Sequence, residues 1–341
     1  MTAANSPGAG TRPDAEGLHC VSATNERRHG ITVPFDGITL SEHREIYREL
    51  VDLGYTDVWS AESGGADAFT PLVLAAAWAP ELRLGTAIIP AYTRGAMTLA
   101  CQIASLCNVA PGRFAVGIGS SSNVIVERWN SIPFDRPYHR VRDTLRFLRT
   151  ALTGEKVDCE YDTFTVKGFK LGIKVVEQPP ILIAALRPGM LKLAGREGDG
   201  AILNWLSADD VPTVVEHIGP DKEVAARLFV LPTEDRDLVR FVGRRAIAQY
   251  LNVPVYAAFH DWLGRGEMLK PMWDHWKAGD RKAATESIPD EIVDDLIIWG
   301  KPEQIRDHIE RYCANGVTTP APAILGNAEQ AMTLARLIAP Q

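Results

Sequence analysis

The segment 83–126 constrains the fold of this chain most strongly, because it holds two buried apolar runs on either side of one amphipathic helix. Residues 84–89 are mostly small or β-branched, which is typical of a strand that is buried on both faces. Apolar residues then recur at helical spacing over 96–107. After the turn at Pro111-Gly112, residues 114–118 form a second buried run. A strand, a helix and a strand in this order predict a right-handed parallel unit.

The same alternation of strand and helix patterns runs along the chain and predicts eight strands. They cover residues 30–34, 57–61, 84–89, 114–118, 181–184, 201–203, 225–231 and 318–325. The last strand is expected to be irregular at Pro320 and Pro322, because proline cannot donate a backbone hydrogen bond. We therefore predict an α/β protein, a (β/α)8 TIM barrel with insertions, whose active site lies at the C-terminal ends of the strands.

Three segments fall outside this alternation. Residues 153–178 alternate polar and apolar side chains and predict an inserted hairpin. Residues 234–298 are too long for one crossover and predict several helices over one end of the barrel. Their aromatic residues, interpreted as packing residues rather than ligand contacts, are Tyr250, Tyr256, Phe259, Trp262, Trp273 and Trp276. Residues 1–27 are small and polar and predict a disordered leader or extended arm, which leaves 28–341 as one barrel domain.

The charge and the cysteine pattern argue against several classes of function. The net charge of −7 disfavours binding to nucleic acid or to an anionic membrane surface, and no apolar run approaches the ~20 residues of a membrane span. The five cysteines lack C-x-x-C spacing, which favours a reduced, cytoplasmic setting. The eight histidines show no paired ligand spacing, so we expect no metal. We expect a small-molecule substrate and consider a homodimer.

The residues at the predicted strand ends indicate a flavin-like cofactor. Small and apolar residues such as Ala87-Ile88 suit a flat ring, whereas the serines at 120–122 and Arg187 suit a phosphate. Alternatives stay open for each polar group. The serines either form an anion site or only cap the following helix, and Arg187 either binds phosphate or makes a surface salt bridge. Glu62 is either a catalytic carboxylate or a structural acceptor for the loop at 64–65.

An ordered set of short motifs runs through the first two thirds of the chain. The motifs are DVWSAE at 57–62, DAFTPL at 67–72, LGTAII at 84–89, PGRF at 111–114 with GIG at 117–119, and GREGDG at 195–200, with a weaker match at 300–305 and 315–317. This set resembles the bacterial-luciferase-like superfamily, in particular its coenzyme F420-dependent oxidoreductases. The resemblance implies hydride transfer between reduced F420 and an organic acceptor. A flavin (FMN) monooxygenase and a non-catalytic flavin-binding protein are the alternatives.

The resemblance also implies where the site lies. It places a non-prolyl cis peptide at Ala87-Ile88, behind the ring of the cofactor. The cofactor-binding residues that it implies are Glu62, Ser63, Ala87, Ile88, Gly119, Ser120, Ser121, Ser122, Ala184, Ala185, Leu186 and Arg187. Relatives that oxidise sugar phosphates carry histidine at the position of Ser63 and glutamate at that of Ser122, so that activity is not expected here. Phosphate loops of relatives often read Gly-Gly-Pro where this chain has Leu186-Arg187-Pro188.

Overall fold

The eight predicted strands form one curled parallel sheet in the computed structural model, which describes residues 27–340. The strands are β1 (Gly30–Thr32), β2 (Asp57–Ser60), β3 (Arg83–Thr86), β4 (Ile89–Pro90), β5 (Phe114–Gly119), β6 (Val157–Glu160), β7 (Thr165–Phe169), β8 (Ile181–Ala184), β9 (Gly200–Asn204), β10 (Glu223–Leu231), β11 (Ile298–Trp299) and β12 (Thr319–Ile324). The helices are α1 (His43–Asp52), α2 (Thr70–Trp78), α3 (Ala96–Val109), α4 (Pro137–Leu152), α5 (Pro188–Glu197), α6 (Val211–Val215), α7 (Arg236–Leu251), α8 (Pro254–Trp262), α9 (Gly266–Lys277), α10 (Arg281–Glu286), α11 (Asp290–Leu296), α12 (Pro302–Ala314) and α13 (Ala328–Leu337).

The main strands follow one another in the order β1-β2-β3-β5-β8-β9-β10, with β12 paired to β10. All of these pairs are parallel. The last strand, β12, lies beside the first strand, β1. The Arg28 N–H, just before β1, donates to the carbonyl of Thr318, just before β12, at 3.3 Å. The Thr32 hydroxyl likewise donates to the carbonyl of Ala321 at 3.3 Å. The predicted (β/α)8 arrangement is confirmed.

The irregularity that we expected in the last strand is not found. β12 keeps a continuous register with β10 over six residue pairs. Pro320 and Pro322 each lack a backbone N–H, but their carbonyls can still accept hydrogen bonds. Two missing donors therefore do not interrupt the pairing.

An apolar layer fills the interior of the barrel. Its buried residues are Trp59, Ala115, Leu182, Ile202, Ala225 and Ala321. Gly85 makes room for the largest of them, because a Cβ atom at this position would lie 2.3 Å from the Trp59 ring. Strand side chains alternate between two faces, so residues two positions further along point into the same interior, nearer the C-terminal mouth. On β8, β9 and β10 these residues are Ala184, Asn204 and Arg227.

Both insertions contain the elements that the sequence predicted. β6 and β7 form an antiparallel hairpin within 153–178. Helices α7 to α11 occupy most of 234–298 and share a second apolar cluster with Trp205 and Phe229 of the barrel. The predicted leader lies outside the described residues except for Arg27, whose Nη1 lies 2.7 Å from Oε2 of Glu310.

Within residues 27–340, no helix is long and apolar enough to cross a membrane. In that same part of the chain, no three histidine, cysteine, aspartate or glutamate residues are grouped so that they could hold a metal ion. The cysteines of this region are all free thiols; they are Cys101, Cys107, Cys159 and Cys313.

Candidate active site

A cleft of about 1300 Å³ lies at the C-terminal ends of the strands. Eleven of the twelve predicted cofactor-binding residues line it: Glu62, Ser63, Ala87, Ile88, Ser120, Ser121, Ser122, Ala184, Ala185, Leu186 and Arg187. The twelfth, Gly119, lies directly behind the lining. A Cβ atom there would be 2.8 Å from the Cβ of Ala184 and 3.2 Å from Cδ1 of Ile88. The structure therefore brings these residues to one place, while their contact with a cofactor stays a prediction.

The apolar wall of the cleft is formed where the chain crosses from β3 to β4. The sequence predicted one strand here, but the strand is interrupted, and the peptide between Ala87 and Ile88 is cis, as the resemblance implied. The Ala87 N–H donates to the carbonyl of Ser60 at 2.6 Å. Just before the interruption, the Thr86 hydroxyl accepts from the Gly117 N–H at 2.8 Å and donates to its carbonyl at 3.1 Å.

Gly117 permits this close approach of two strands. A Cβ atom at Gly117 would lie only 1.8 Å from the carbonyl oxygen of Thr86, which is backbone and cannot turn away. The glycine is therefore required by the packing of β5 against the end of β3. The apolar wall at Ala87 and Ile88 depends on it.

The serine loop at 120–122 leads into a short helix. The sequence left open whether the serines form an anion site or only cap the following helix. The next element is a π-helix of six residues, Val124–Trp129, with Asn123 at its N-cap. Ser121 adopts a left-handed conformation with φ of 61°, which turns the chain before the helix starts. Only Ser122 supports the helix start, because its hydroxyl accepts from the Ile125 N–H at 3.3 Å. So short a helix adds little to anion binding.

Arg187 lies at the start of α5, on the cleft wall. Its side chain is exposed, and it forms no ion pair with any residue that the structure describes. The surface salt bridge that the sequence left open is therefore not found. Its backbone carbonyl accepts the first helical N–H groups, those of Met190 and Leu191, each at 3.0 Å. The guanidinium stays available to a ligand in the cleft.

Glu62 is held in place by an arginine that the sequence did not point to. Both carboxylate oxygens of Glu62 accept hydrogen bonds from the Arg94 guanidinium, one of them at 2.6 Å. Oε1 also accepts from the Ala68 N–H at 3.2 Å, so the loop acceptor role applies to Ala68 rather than to 64–65. Arg94 in turn packs over the Phe69 ring at 5.3 Å. This fully engaged carboxylate is suited to fixing the β2 loop rather than to moving protons.

Two further polar residues of the cleft, Asn204 and Arg227, were not among the twelve predicted cofactor-binding residues. They are Cα partners in the ladder between β9 and β10, and both line the cleft. The signal that identifies them is the strand alternation: each follows an interior apolar residue, Ile202 or Ala225, by two positions. Polar residues at interior positions near the mouth of a barrel indicate a binding site.

The six aromatic residues of the second insertion pack against the two apolar clusters, as the sequence predicted, and some of them also face the cleft. Four of the six line the cleft, namely Tyr250, Tyr256, Trp262 and Trp276, whereas Phe259 and Trp273 do not. The Tyr256 hydroxyl accepts from Nδ2 of Asn204 at 3.1 Å. Burial raises the pKa of Tyr256 to about 12, even though the hydrogen bond with Asn204 acts in the opposite direction. Tyr256 is therefore a neutral hydrogen-bonding group at neutral pH.

The comparison with protein families decides the class of this chain. The family described as luciferase-like monooxygenase matches residues 18–319, well over half of the sequence. The chain belongs to the luciferase-like monooxygenase family. Its fold and the position of its cleft agree with that membership, because barrels of this kind carry their active sites at the C-terminal ends of the strands.

Two curated proteins are similar to this chain over most of its length. A putative coenzyme F420-dependent oxidoreductase of Mycobacterium tuberculosis is 26% identical over 337 residues, which covers 87% of this chain and 94% of that protein. The 5,10-methylenetetrahydromethanopterin reductase of Methanolobus tindarius is 26% identical over 302 residues, covering 84% and 90%.

Solved structures show the same luciferase-like fold. The F420-dependent tetrahydromethanopterin reductase of Methanopyrus kandleri superposes with a TM-score of 0.74 at 21% identity, over 91% of this chain and 97% of that one. A F420-dependent secondary alcohol dehydrogenase, in complex with an F420–acetone adduct, gives 0.73 at 14% identity, over 92% and 98%. A monooxygenase from Streptomyces bottropensis gives 0.66 at 19% identity, over 92% and 97%.

The cleft of this luciferase-like chain has a surplus of positive charge. Four arginines line it, namely Arg128, Arg187, Arg227 and Arg281, and none of them forms an ion pair within residues 27–340. Of the two carboxylates in the lining, Glu62 is paired with Arg94, and Asp261 is exposed. The whole chain, by contrast, carries a net charge of −7. A cationic cleft on an acidic protein favours an anionic ligand.

Proposed function

We propose that this protein is an F420-dependent oxidoreductase that transfers hydride between reduced coenzyme F420 and an organic acceptor. The observation that carries the proposal is that one cleft combines an apolar wall at Ala87 and Ile88 with the serines at 120–122 and four arginines that form no ion pair within the described residues. The similarity to a putative F420-dependent oxidoreductase and to two F420-dependent enzymes of known structure supports the choice of cofactor.

The residues present fit such a cofactor in shape and in charge. The apolar wall at Ala87 and Ile88 suits a planar ring. Gly119 lies behind this wall and lets Ile88 and Ala184 pack closely against β5. The hydroxyls at 120–122 and the unpaired guanidinium of Arg187 suit its phosphate. When bound, the cofactor supplies the hydride chemistry itself.

The tasks that remain for the chain are to orient the reactants and to exclude water. The ion pair between Glu62 and Arg94 fixes the loop after β2 at the cleft edge. The aromatic side chains of Tyr250 and Trp276 line the cleft on the side of the second insertion. A preorganised site of this kind lowers the barrier through positioning and electrostatics. Glu62 is therefore proposed as a positioning residue.

Activity measurements separate this function from its two alternatives. Oxidation of reduced F420 is followed by absorbance under anaerobic conditions with a panel of aldehydes, ketones and enones. Turnover of any of them supports the proposal. Oxygen-dependent turnover with reduced FMN supports the monooxygenase alternative, which the family description favours. Tight F420 binding without turnover of any acceptor would indicate a non-catalytic flavin-binding protein.

We further propose a cytoplasmic homodimer in which residues 28–341 form one domain. Exposed apolar side chains on α2 and α3 support an interface between copies, and they are Val73, Met97 and Val109. Light scattering after size exclusion measures the oligomeric state, and a monomer at micromolar concentration would contradict the dimer.

Limited proteolysis tests the domain proposal, since two separately stable fragments would contradict it. Cell fractionation tests the compartment.

A further inference from the structure

Arg227 and Asn204 stand side by side on the inner wall of the cleft, and neither is fully satisfied by the protein. Nε of Arg227 and Oδ1 of Asn204 are buried and lack a hydrogen-bond partner among the described residues. A buried polar atom without a partner destabilises the folded chain, because it has lost its hydrogen bonds to water. One donor and one acceptor of this kind, adjacent in one cleft, indicate that a ligand supplies their partners.

The charge of Arg227 is also unmatched. Its guanidinium lies 4.9 Å over the Phe229 ring, and it forms no ion pair within the described part of the chain. The carboxylate of Glu62 is engaged by Arg94, and the Asp261 side chain is exposed. A guanidinium held on an aromatic face, with no protein carboxylate, is preorganised for a planar anion.

Arg227 is separated from the residues that we assign to the cofactor phosphate. Those residues follow β5 and β8, whereas Arg227 lies on β10, and the sheet order is β5-β8-β9-β10. Since neighbouring strands lie about 4.8 Å apart, β10 is about 10 Å from β8. The cleft, at about 1300 Å³, has room for a second molecule beside the cofactor.

We propose that Arg227 and Asn204 form the subsite for the organic acceptor, and that the acceptor carries a carboxylate. This inference rests on the proposed function. A single guanidinium matches the single charge of a carboxylate in planar, two-point geometry. Oδ1 of Asn204 accepts from a hydroxyl or N–H of the same molecule. The rings of Tyr250 and Tyr256, 6.1 Å apart, give the body of the acceptor an aromatic surface.

Calorimetric titration with two small probes tests the subsite directly. The full chain, loaded with F420, is titrated with benzoate and with benzamide, which has a similar shape but no charge. We expect benzoate to bind about tenfold or more tightly than benzamide, which corresponds to about 1.4 kcal/mol. Arg227→Met is expected to abolish this preference and to leave the Kd of F420 unchanged, whereas Arg227→Lys keeps part of the preference. Arg245→Met, an exposed arginine outside the cleft, serves as the matched control.

A second variant separates the acceptor subsite from the phosphate site. Arg187→Met is expected to weaken F420 binding and to leave the benzoate preference intact. If Arg227→Met weakens F420 binding by about tenfold, Arg227 belongs to the cofactor and the inference is wrong. Equal binding of benzoate and benzamide, or no benzoate binding, would also overturn it.

Separate controls show whether each variant folds and whether the wild type binds F420. Arg227→Met removes a half-buried guanidinium that forms no ion pair within the described residues, so its melting temperature is expected to lie close to that of the wild type. If this variant does not fold, Arg227→Lys and Asn204→Ala decide the question by the same titration. If wild type fails to bind F420 but the cofactor-free chain still prefers benzoate through Arg227, the proposed function fails and the subsite stands.

Discussion

Arg94 and Glu62 form a two-point ion pair at the edge of the cleft, with both side chains largely buried. The two residues are 32 positions apart in the chain, one after β2 and the other after β4. The pair links the loop after β2 to the loop after β4 at the proposed cofactor site. Glu62 therefore has a structural role.

Removing either partner is expected to destabilise the protein. Arg94→Ala leaves the Glu62 carboxylate unpaired, at an expected cost of about 1–3 kcal/mol in the free energy of unfolding. Glu62→Gln weakens the same contact from the other side. The double variant is expected to lose less than the sum, with a coupling of at least about 0.5 kcal/mol. Urea unfolding of the four proteins measures this, and strictly additive losses would show that the pair is not coupled.

The close approach of Gly117 to Thr86 predicts a severe packing effect. Gly117→Ala places a Cβ atom 1.8 Å from a backbone oxygen, so β3 or β5 must shift, and we expect a loss of about 3 kcal/mol or more. Gly172→Ala is the control, because a Cβ atom there meets nothing within 4 Å. Equal thermal stability of the two variants would contradict the assigned packing.

The stability of the barrel is expected to fall in acid because of Glu223. Burial is the largest single influence on the pKa of Glu223 and acts to raise it. The hydrogen bonds with Arg83 at 2.7 Å, the positive charges of Arg83 and Arg28 and the hydrogen bond from Thr319 together outweigh burial and hold this pKa below its ordinary value of 4.5. A carboxylate with a lowered pKa stabilises the native state above its ordinary pKa, and this contribution is lost as the pH falls below that value. Glu223→Gln should therefore cost stability at neutral pH and reduce the loss on acidification.

Urea unfolding at neutral pH and below the ordinary pKa of glutamate measures this dependence. Glu155→Gln, an exposed position, provides the control and should leave the acid sensitivity unchanged. An equal loss of stability on acidification in wild type and Glu223→Gln would show that other groups cause it.

Much of the fold could be predicted because strand and helix periodicities are local properties of the sequence. The strand ends identified Ala87, Ser120 and Arg187 as neighbours in space, since parallel strands finish at one edge. The ion-pair partner of Glu62 could not be predicted, because nothing in the sequence shows that the Arg94 side chain reaches Glu62. The position of Tyr256 in the cleft lining could not be predicted either, since the path of an inserted helix over the barrel depends on tertiary packing rather than on periodicity.

Substitution of the residues proposed to bind the cofactor phosphate is expected to weaken cofactor binding. Arg187→Ala removes a charge-assisted contact worth roughly 1.5–3 kcal/mol, so F420 binding is expected to weaken about tenfold or more. Ser120→Asp should weaken it further through repulsion. Arg245→Ala, outside the cleft, should have no effect. Fluorescence titration gives the three affinities, and unchanged binding in both cleft variants would place the phosphate elsewhere.

The central claim is that the cleft binds coenzyme F420. Its most direct test is a fluorescence titration of the wild-type protein with F420 and, separately, with FMN. The account predicts saturable F420 binding that is tighter than FMN binding. Tight FMN binding with no detectable F420 binding would contradict the account and assign the protein to the flavin-dependent members of its family.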